Sequence, residues 1–275
     1  MPLGVGLIGC GAIGTVLAHA IDEGRAGDTR LAVVHDLLFE NSQKLVDRLS
    51  SKPRIAKTFD EFIKVQGFDL VIEAASQNAV RQYASKVLEN GKDLMIMSVG
   101  ALVDSDLTEE IRRSAHSTGK KIYIPSGAIV GIDGIKAAVI GRINYVTLTT
   151  RKPPSGLIGA PYFKQSRISL NELKEPKVIY EGPASEACML FPANVNVAAT
   201  LSLAGIGLNK TKVRIVADPT IKRNVHEINV KGEFGELRVC TKNVPSPDNP
   251  KTSFLAVLSA IATLKRITGL MLIGT

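Results

Sequence analysis

Three glycines within six residues constrain this chain more than any other feature. The run Gly9-Cys10-Gly11-Ala12-Ile13-Gly14 ends an apolar strand-like stretch, Gly4-Val5-Gly6-Leu7-Ile8-Gly9. It also opens a helix-like stretch, Ile13 to Asp22, with Ile13, Val16, Leu17 and Ala20 on one face. In Gly-x-Gly-x-x-Gly the first glycine permits a tight turn, the second lets backbone approach a pyrophosphate, and the third lets the helix pack on the strand. Free N–H groups at the helix start then face the phosphates. Asp36 closes the next apolar run, Leu31-Ala32-Val33-Val34-His35, 22 positions after Gly14. A carboxylate there is expected to bond the adenosine ribose hydroxyls and repel a 2′-phosphate, favouring NAD over NADP. Gly9, Gly11, Ala12, Ile13, Gly14 and Asp36 are therefore the first candidates for cofactor binding. His35 is expected to be a surface residue at its strand end.

The alternation continues to residue 125. Strands are expected over Asp69 to Ala75, Asp93 to Ser98 and Lys121 to Pro125, and helices over Asn41 to Ser50, Asn78 to Asn90 and Leu107 to Ser117. Near-continuous apolar strands separated by helices need cover on both faces, which predicts a doubly wound parallel α/β sheet of Rossmann type. Ligands bind beyond the carboxyl ends of such strands. That adds Ala74, Ala75 and Ser76, and Ser98, Val99 and Gly100, to the cofactor candidates; their small side chains leave room for a ring such as nicotinamide. Ser126-Gly127-Ala128 belongs to the same rim.

Beyond Ser126 the pattern changes. A glycine-rich stretch leads to a short helix, Ile135 to Ile140. Strand-like pieces follow at Tyr145 to Thr150, Val213 to Val216, Val225 to Val230 and Glu236 to Cys240, with a helix at Asn194 to Leu203 and another at Phe254 to Ile267. The last three strands alternate polar and apolar residues as a half-exposed antiparallel sheet does. The expected organisation is a dinucleotide-binding domain over 1–126 and an α+β domain with a mixed or antiparallel sheet over 127–250. The C-terminal helix, within 251–275, is expected to return to the first domain. The half-exposed strands need cover, and a two-fold pair is the commonest way to supply it, so a homodimer is expected.

Composition narrows the class. The chain has 275 residues, 45% hydrophobic and 22% charged, which excludes wholesale disorder. Its net charge of +8 is scattered rather than clustered, and with 5% aromatics and no Trp there is little with which to stack nucleic-acid bases, so no nucleic-acid partner is expected. No apolar run reaches the roughly 18 residues a membrane helix needs. Cys10, Cys188 and Cys240 are far apart and form no Cys-x-x-Cys pair, which argues against a disulfide scaffold or zinc site and fits the cytoplasm.

Of four histidines, His19 and His116 fall in helices. His226 follows Asp218-Pro219 and Lys222-Arg223-Asn224, a polar cluster at a strand entry, and is the candidate acid–base residue. No metal-ligand spacing is present.

These residues resemble the L-aspartate dehydrogenase family of the archaeal and bacterial type. The matching stretches are Gly6 to Gly14, Glu73-Ala74-Ala75-Ser76-Gln77, Met97 to Leu102, Pro125 to Ile129, Phe191 to Ala199, Asp218-Pro219, Asn224-Val225-His226 and Asn249-Pro250-Lys251-Thr252-Ser253. The resemblance implies NAD- or NADP-dependent oxidative deamination of L-aspartate to oxaloacetate and ammonia through iminoaspartate, which feeds de novo NAD synthesis. It places the family's active-site histidine on His226, its cofactor-contacting alanine on Ala128, and its asparagine on Asn194 or Asn196, with Asn196 preferred. Lys222, Arg223 and Lys251 are candidates for the substrate carboxylates, and equally for surface charges. The segment Lys152 to Glu186 is roomier than the family pattern. The rival readings are a two-domain reductase of the dihydrodipicolinate-reductase or homoserine-dehydrogenase kind, and a non-catalytic NAD-binding sensor.

Overall fold

The computed structural model describes residues 1–164, 166, 168–192, 195–246 and 249–274, with backbone alone at 171, 246 and 249–252. The chain divides into two compact units, one comprising Met1–Pro125 with Val257–Leu272 and the other Ser126–Ala256 with the last three residues.

In the first unit, strands β1 (Leu3–Ile8), β2 (Thr29–His35), β3 (Arg54–Ile55), β4 (Leu70–Glu73), β5 (Asp93–Ile96) and β6 (Ile122–Tyr123) form one sheet in the order 3-2-1-4-5-6. Every pairing is parallel. The connecting helices are α1 (Ala12–Asp22), α2 (Phe39–Arg48), α3 (Phe59–Lys64), α4 (Gln77–Glu89) and α5 (Ser105–Thr118). Val5, Leu7, Val33, Val34, Val71, Ile72, Met95 and Ile96 are wholly buried, as strands covered on both faces must be. Local signals set the helix ends. Thr58, Ser76 and Asp104 each accept a backbone N–H from the first turn they precede, and Gly119 ends α5 in the left-handed conformation. The doubly wound sheet is the one the sequence predicts.

Two elements of this unit, β3 and α3, are absent from the sequence pattern. Strand β3 is a two-residue edge defined only by its pairing with Val33 and Val34. Helix α3 is six residues long and is held by its rings. Phe59 stacks on Tyr83 at 4.3 Å, and Phe62 packs against Phe68 at 5.5 Å.

The second unit contains α6 (Ile132–Ala138), β7 (Ile143–Lys152), β8 (Lys177–Pro183), α7 (Ala184–Leu190), α8 (Val195–Ala204), β9 (Thr211–Ala217), β10 (Val225–Gly232) and β11 (Gly235–Lys242). Its sheet runs in the order 11-10-7-9-8. Strand β10 is antiparallel to both its neighbours, β11 and β7; β7 and β9 are parallel, and β9 and β8 antiparallel. One expectation needs correcting here: Val213 to Val216 does not extend an antiparallel run with the two strands after it, because β9 inserts between β7 and β8. The sheet is mixed. Along β9 the burial alternates, with Val213 and Ile215 inside and Lys212 and Arg214 outside, where both cations reach Glu181 at 2.8 Å. The short pair β12 (Pro245–Ser246) and β13 (Asn249–Ser253) precedes α9 (Phe254–Thr268). Among the described residues no helix is long and apolar enough to cross a membrane.

Candidate active site

The turn after β1 is built as its glycines require. Gly9 has φ +98°, and a Cβ there would come within 2.7 Å of the Ala74 carbonyl group. A Cβ on Gly14 would collide with the Gly9 carbonyl oxygen, while one on Gly11 would meet nothing within 4 Å. The outer two glycines thus close the turn, and the middle one leaves an open cradle over the start of α1, where Ala12 and Ile13 are half-buried. A cleft of about 300 Å³ lies beside it, lined by Gly9, Gly11, Asp36, Leu38, Ala74, Ala75, Ser76 and Tyr83 among others. This is the crevice beyond the carboxyl ends of β1 and β4, where the strand order reverses. Its size, its polar rim and the uncovered backbone at Gly11 fit the adenosine half of a dinucleotide.

Asp36 is more occupied than the sequence suggests. Its Oδ2 accepts the Cys10 N–H at 2.7 Å, and its Oδ1 accepts the Leu38 N–H at 2.9 Å and the Asn41 side-chain amide at 3.3 Å. The carboxylate therefore fixes the glycine turn as well as lining the cleft. His35 is not a surface residue. It is 3% exposed, with Nδ1 3.0 Å from the Ala56 carbonyl, because β3 and α3 cover the strand end that a linear reading leaves open. Burial pushes the Cys10 thiol up to about 11, against the hydrogen bond from Ser42, so it stays protonated.

Glu73, which ends the apolar strand Leu-Val-Ile-Glu, is 3% exposed and ties two of the predicted rim segments together. Its carboxylate accepts the N–H groups of Ala75 and Ser76 at 2.9 Å, the N–H of Ser98 at 3.0 Å and the Ser98 hydroxyl at 2.9 Å. Burial still pushes its pKa upward. Ser98 is thereby turned toward Glu73, and Val99 and Gly100 are buried in the 3-10 turn that follows; these three lie outside the cleft. The Ser76 hydroxyl caps α4. The signal for Glu73 in the sequence is a carboxylate at the end of an otherwise apolar strand.

The second unit holds its own cluster where β7 ends and β10 begins. His226 sits opposite Thr150 in the β7–β10 ladder, and Thr150 Oγ1 is 3.0 Å from His226 Nδ1. His226 is 5% exposed. Burial first, and the charge of Lys152 second, push its imidazole down to about 4. The resting imidazole is neutral. Either group can donate in this contact; in the tautomer with Nδ1–H donating to Thr150, Nε2 is the nitrogen that takes a proton. Thr241, opposite His226 on β11, and Asn243 both donate to the Ala128 carbonyl, at 3.3 and 3.0 Å. Ala128 is thus anchored to the strand beside His226. Asn196 is exposed in the first turn of α8, and Asn194 lies outside the described residues.

Lys222 and Arg223 are exposed, and the Lys251 side chain lies outside the described residues. Among the described residues of this unit the buried cation is instead Lys152, 7% exposed, whose ammonium burial pushes down to about 8. The sequence offers one faint signal for it: Thr150-x-Lys152 places both side chains on one face of a strand.

Comparison with known proteins agrees with both units. Residues 9–125 match the model for the homoserine dehydrogenase NAD binding domain, and residues 133–267 match the model for the aspartate dehydrogenase C-terminal domain. The chain is 50% identical over 273 residues to an L-aspartate dehydrogenase of Methanosarcina barkeri, covering 99% of this chain and all of that one. It is also similar to the crystal structure of the aspartate dehydrogenase of Thermotoga maritima, with TM-score 0.77 and 27% identity, covering both chains completely. A myo-inositol dehydrogenase of Lactobacillus casei shares the fold alone, with TM-score 0.61 and 13% identity over 98% of this chain and 86% of that one. The chain is an NAD(P)-dependent oxidoreductase and belongs to the L-aspartate dehydrogenase family.

Proposed function

We propose that this chain oxidises L-aspartate to iminoaspartate, which hydrolyses to oxaloacetate and ammonia, and that iminoaspartate leaving before hydrolysis serves pyridine-nucleotide synthesis. The observation that carries this reading is His226, buried, held through Nδ1 by Thr150 and neutral at rest, within the unit that matches the aspartate dehydrogenase C-terminal model. When bound, the cofactor supplies an acceptor for the hydride. The substrate Cα–H bond releases its pair to that acceptor only when the amine is neutral and can form C=N. His226 Nε2 takes the ammonium proton and releases it to solvent once the imine has formed; the neutral imidazole then takes a proton from the water that adds to the imine carbon and passes it to the imine nitrogen. The Glu73 carboxylate holds the two strand-end loops in place, and the Gly11 cradle accepts the pyrophosphate.

The test is reduction of NAD or NADP, followed by absorbance of the reduced nicotinamide, with L-aspartate against other amino acids. Aspartate-dependent reduction exceeding all others is expected; cofactor binding without turnover of any amino acid would leave a sensor.

Asp36 is assigned to cofactor choice. Asp36→Ser is expected to narrow the ratio of kcat/KM for NAD over NADP by roughly tenfold, the effect of about 1.4 kcal/mol at the ribose. An unchanged ratio assigns Asp36 to the turn alone, through its bond from Cys10.

The outer face of the second sheet, with Thr147, Asn229, Arg238 and the Glu181 ion pairs, is assigned to a two-fold contact between copies. Light scattering is expected to give twice the 29.4 kDa chain mass, and a monomer at working concentration removes the assignment.

A further inference from the structure

A buried ammonium without a partner is costly, because burial removes the water that would solvate it and nothing replaces that water. Lys152 is buried, although its Nζ is not among the atoms wholly removed from water without a partner. It is 7% exposed, and its Nζ has no hydrogen-bond or ion-pair partner among the described residues. Its aliphatic stem runs beside Gly156, where an added Cβ would come 3.5 Å from Lys152 Cδ. Two nearby acids already have other partners. Asp218, which follows the β9 residue paired with Lys152, accepts the Thr220 N–H at 2.9 Å and hydroxyl at 2.6 Å, and lies 3.9 Å from Arg151. Glu227 lies 3.5 Å from the same arginine. Arg151 points to the opposite sheet face from Lys152, being its neighbour in the strand.

On the face that Lys152 does share stand Thr150 and, across the ladder, His226. Lysine and histidine are close enough for the charge of one to disfavour charge on the other. A buried ammonium beside a basic imidazole, with no anion paired to either among the described residues, leaves the compensating negative charge to the ligand.

We propose that Lys152 is the cation that receives a carboxylate of the dicarboxylate substrate beside His226. This rests on the aspartate dehydrogenase reading of the second unit. Pairing stabilises the ammonium and cancels the field it exerts on His226, so arrival of the dicarboxylate also makes the imidazole a better proton acceptor. A monocarboxylate amino acid whose single carboxyl group is held elsewhere forms no such pair. Lys152 is therefore a specificity-determining residue as well as a binding one.

The probe is succinate, a four-carbon dicarboxylate with no amine to oxidise, titrated calorimetrically into the holoenzyme. Wild type, Lys152→Met and Lys152→Arg are compared, with KM and kcat for L-aspartate measured in parallel. Losing a charge-assisted bond of about 1.5–3 kcal/mol corresponds to roughly 10- to 100-fold, so Lys152→Met is expected to weaken succinate and raise KM by that factor. Lys152→Arg is expected to recover part of the affinity because it keeps the charge. Lys152→Gln stands in if the methionine variant does not fold. Succinate bound as tightly by Lys152→Met as by wild type overturns the proposal; a fall in kcat beside it assigns the lysine to proton transfer. If wild type binds succinate but oxidises no L-aspartate, the function reading fails while the succinate comparison still decides the role of Lys152.

Discussion

His226→Ala is expected to lower the rate of aspartate oxidation by about 10²- to 10⁴-fold, the usual contribution of a positioned general base. Cofactor affinity is expected to stay near wild type, since the glycine turn belongs to the other unit. Asparagine keeps a polar side chain of similar reach but exchanges no proton near neutral pH, so His226→Asn is expected to be nearly as damaging. Retention of most of kcat in His226→Asn with an unchanged pH profile assigns the proton to another group. Stability supplies a second readout of the same variant. The imidazole titrates near 6.5 when unfolded and near 4 when folded. Between those values the unfolded chain binds more protons, so stability falls as pH is lowered through the window, by about 3 kcal/mol in total. Replacing His226 by alanine removes that acid slope, which urea unfolding at pH 7 and pH 4.5 measures.

The second large effect separates two glycines of one turn. Gly14→Ala puts a methyl group into the Gly9 carbonyl oxygen, a backbone atom that cannot step aside. The variant is expected to lose at least about 2 kcal/mol, or some 5 °C in Tm, and its cofactor binding with it. Gly11→Ala is the opposite case. Gly11 has φ −77°, which alanine adopts freely, and its added methyl meets no protein atom within 4 Å. Tm is expected to hold, or to rise slightly because the unfolded chain loses freedom. With the pyrophosphate in the Gly11 cradle as proposed, the methyl group takes its space, so NAD affinity is expected to fall tenfold or more, about 1.4 kcal/mol at least. Unchanged affinity in Gly11→Ala places the phosphates elsewhere.

The site was unevenly legible. The Gly9–Gly14 turn can be read from sequence because its geometry depends on residues adjacent in the chain. Strand, turn and helix start together fix where the free N–H groups point. Asp36 was legible in position and only half legible in role, since its bonds from Cys10 and Asn41 depend on how β1 and β2 lie side by side. Strand β8 was invisible within the segment 152–186. It is an edge strand whose Lys, Glu, Gly and Pro suit many conformations, and only its register against β9 makes it a strand. His35 is buried rather than at the surface because solvent access at a strand end depends on what packs over it, here Ala56 and the ring of Phe62.

By itself the sequence determined the doubly wound sheet, its glycine turn and the place of His226 at a strand entry, because hydrophobic period, glycine spacing and a histidine in a polar cluster are properties of contiguous residues. Only the tertiary structure decided which charged side chains are buried and whether they are paired. Glu73 and Lys152 carry only faint marks in the chain, a carboxylate closing an apolar strand and an amine two residues after Thr150. Folding gives the carboxylate four hydrogen bonds and, among the described residues, gives the amine none. Burial and pairing are sums over neighbours from distant strands, and a charge is costly or useful according to that sum.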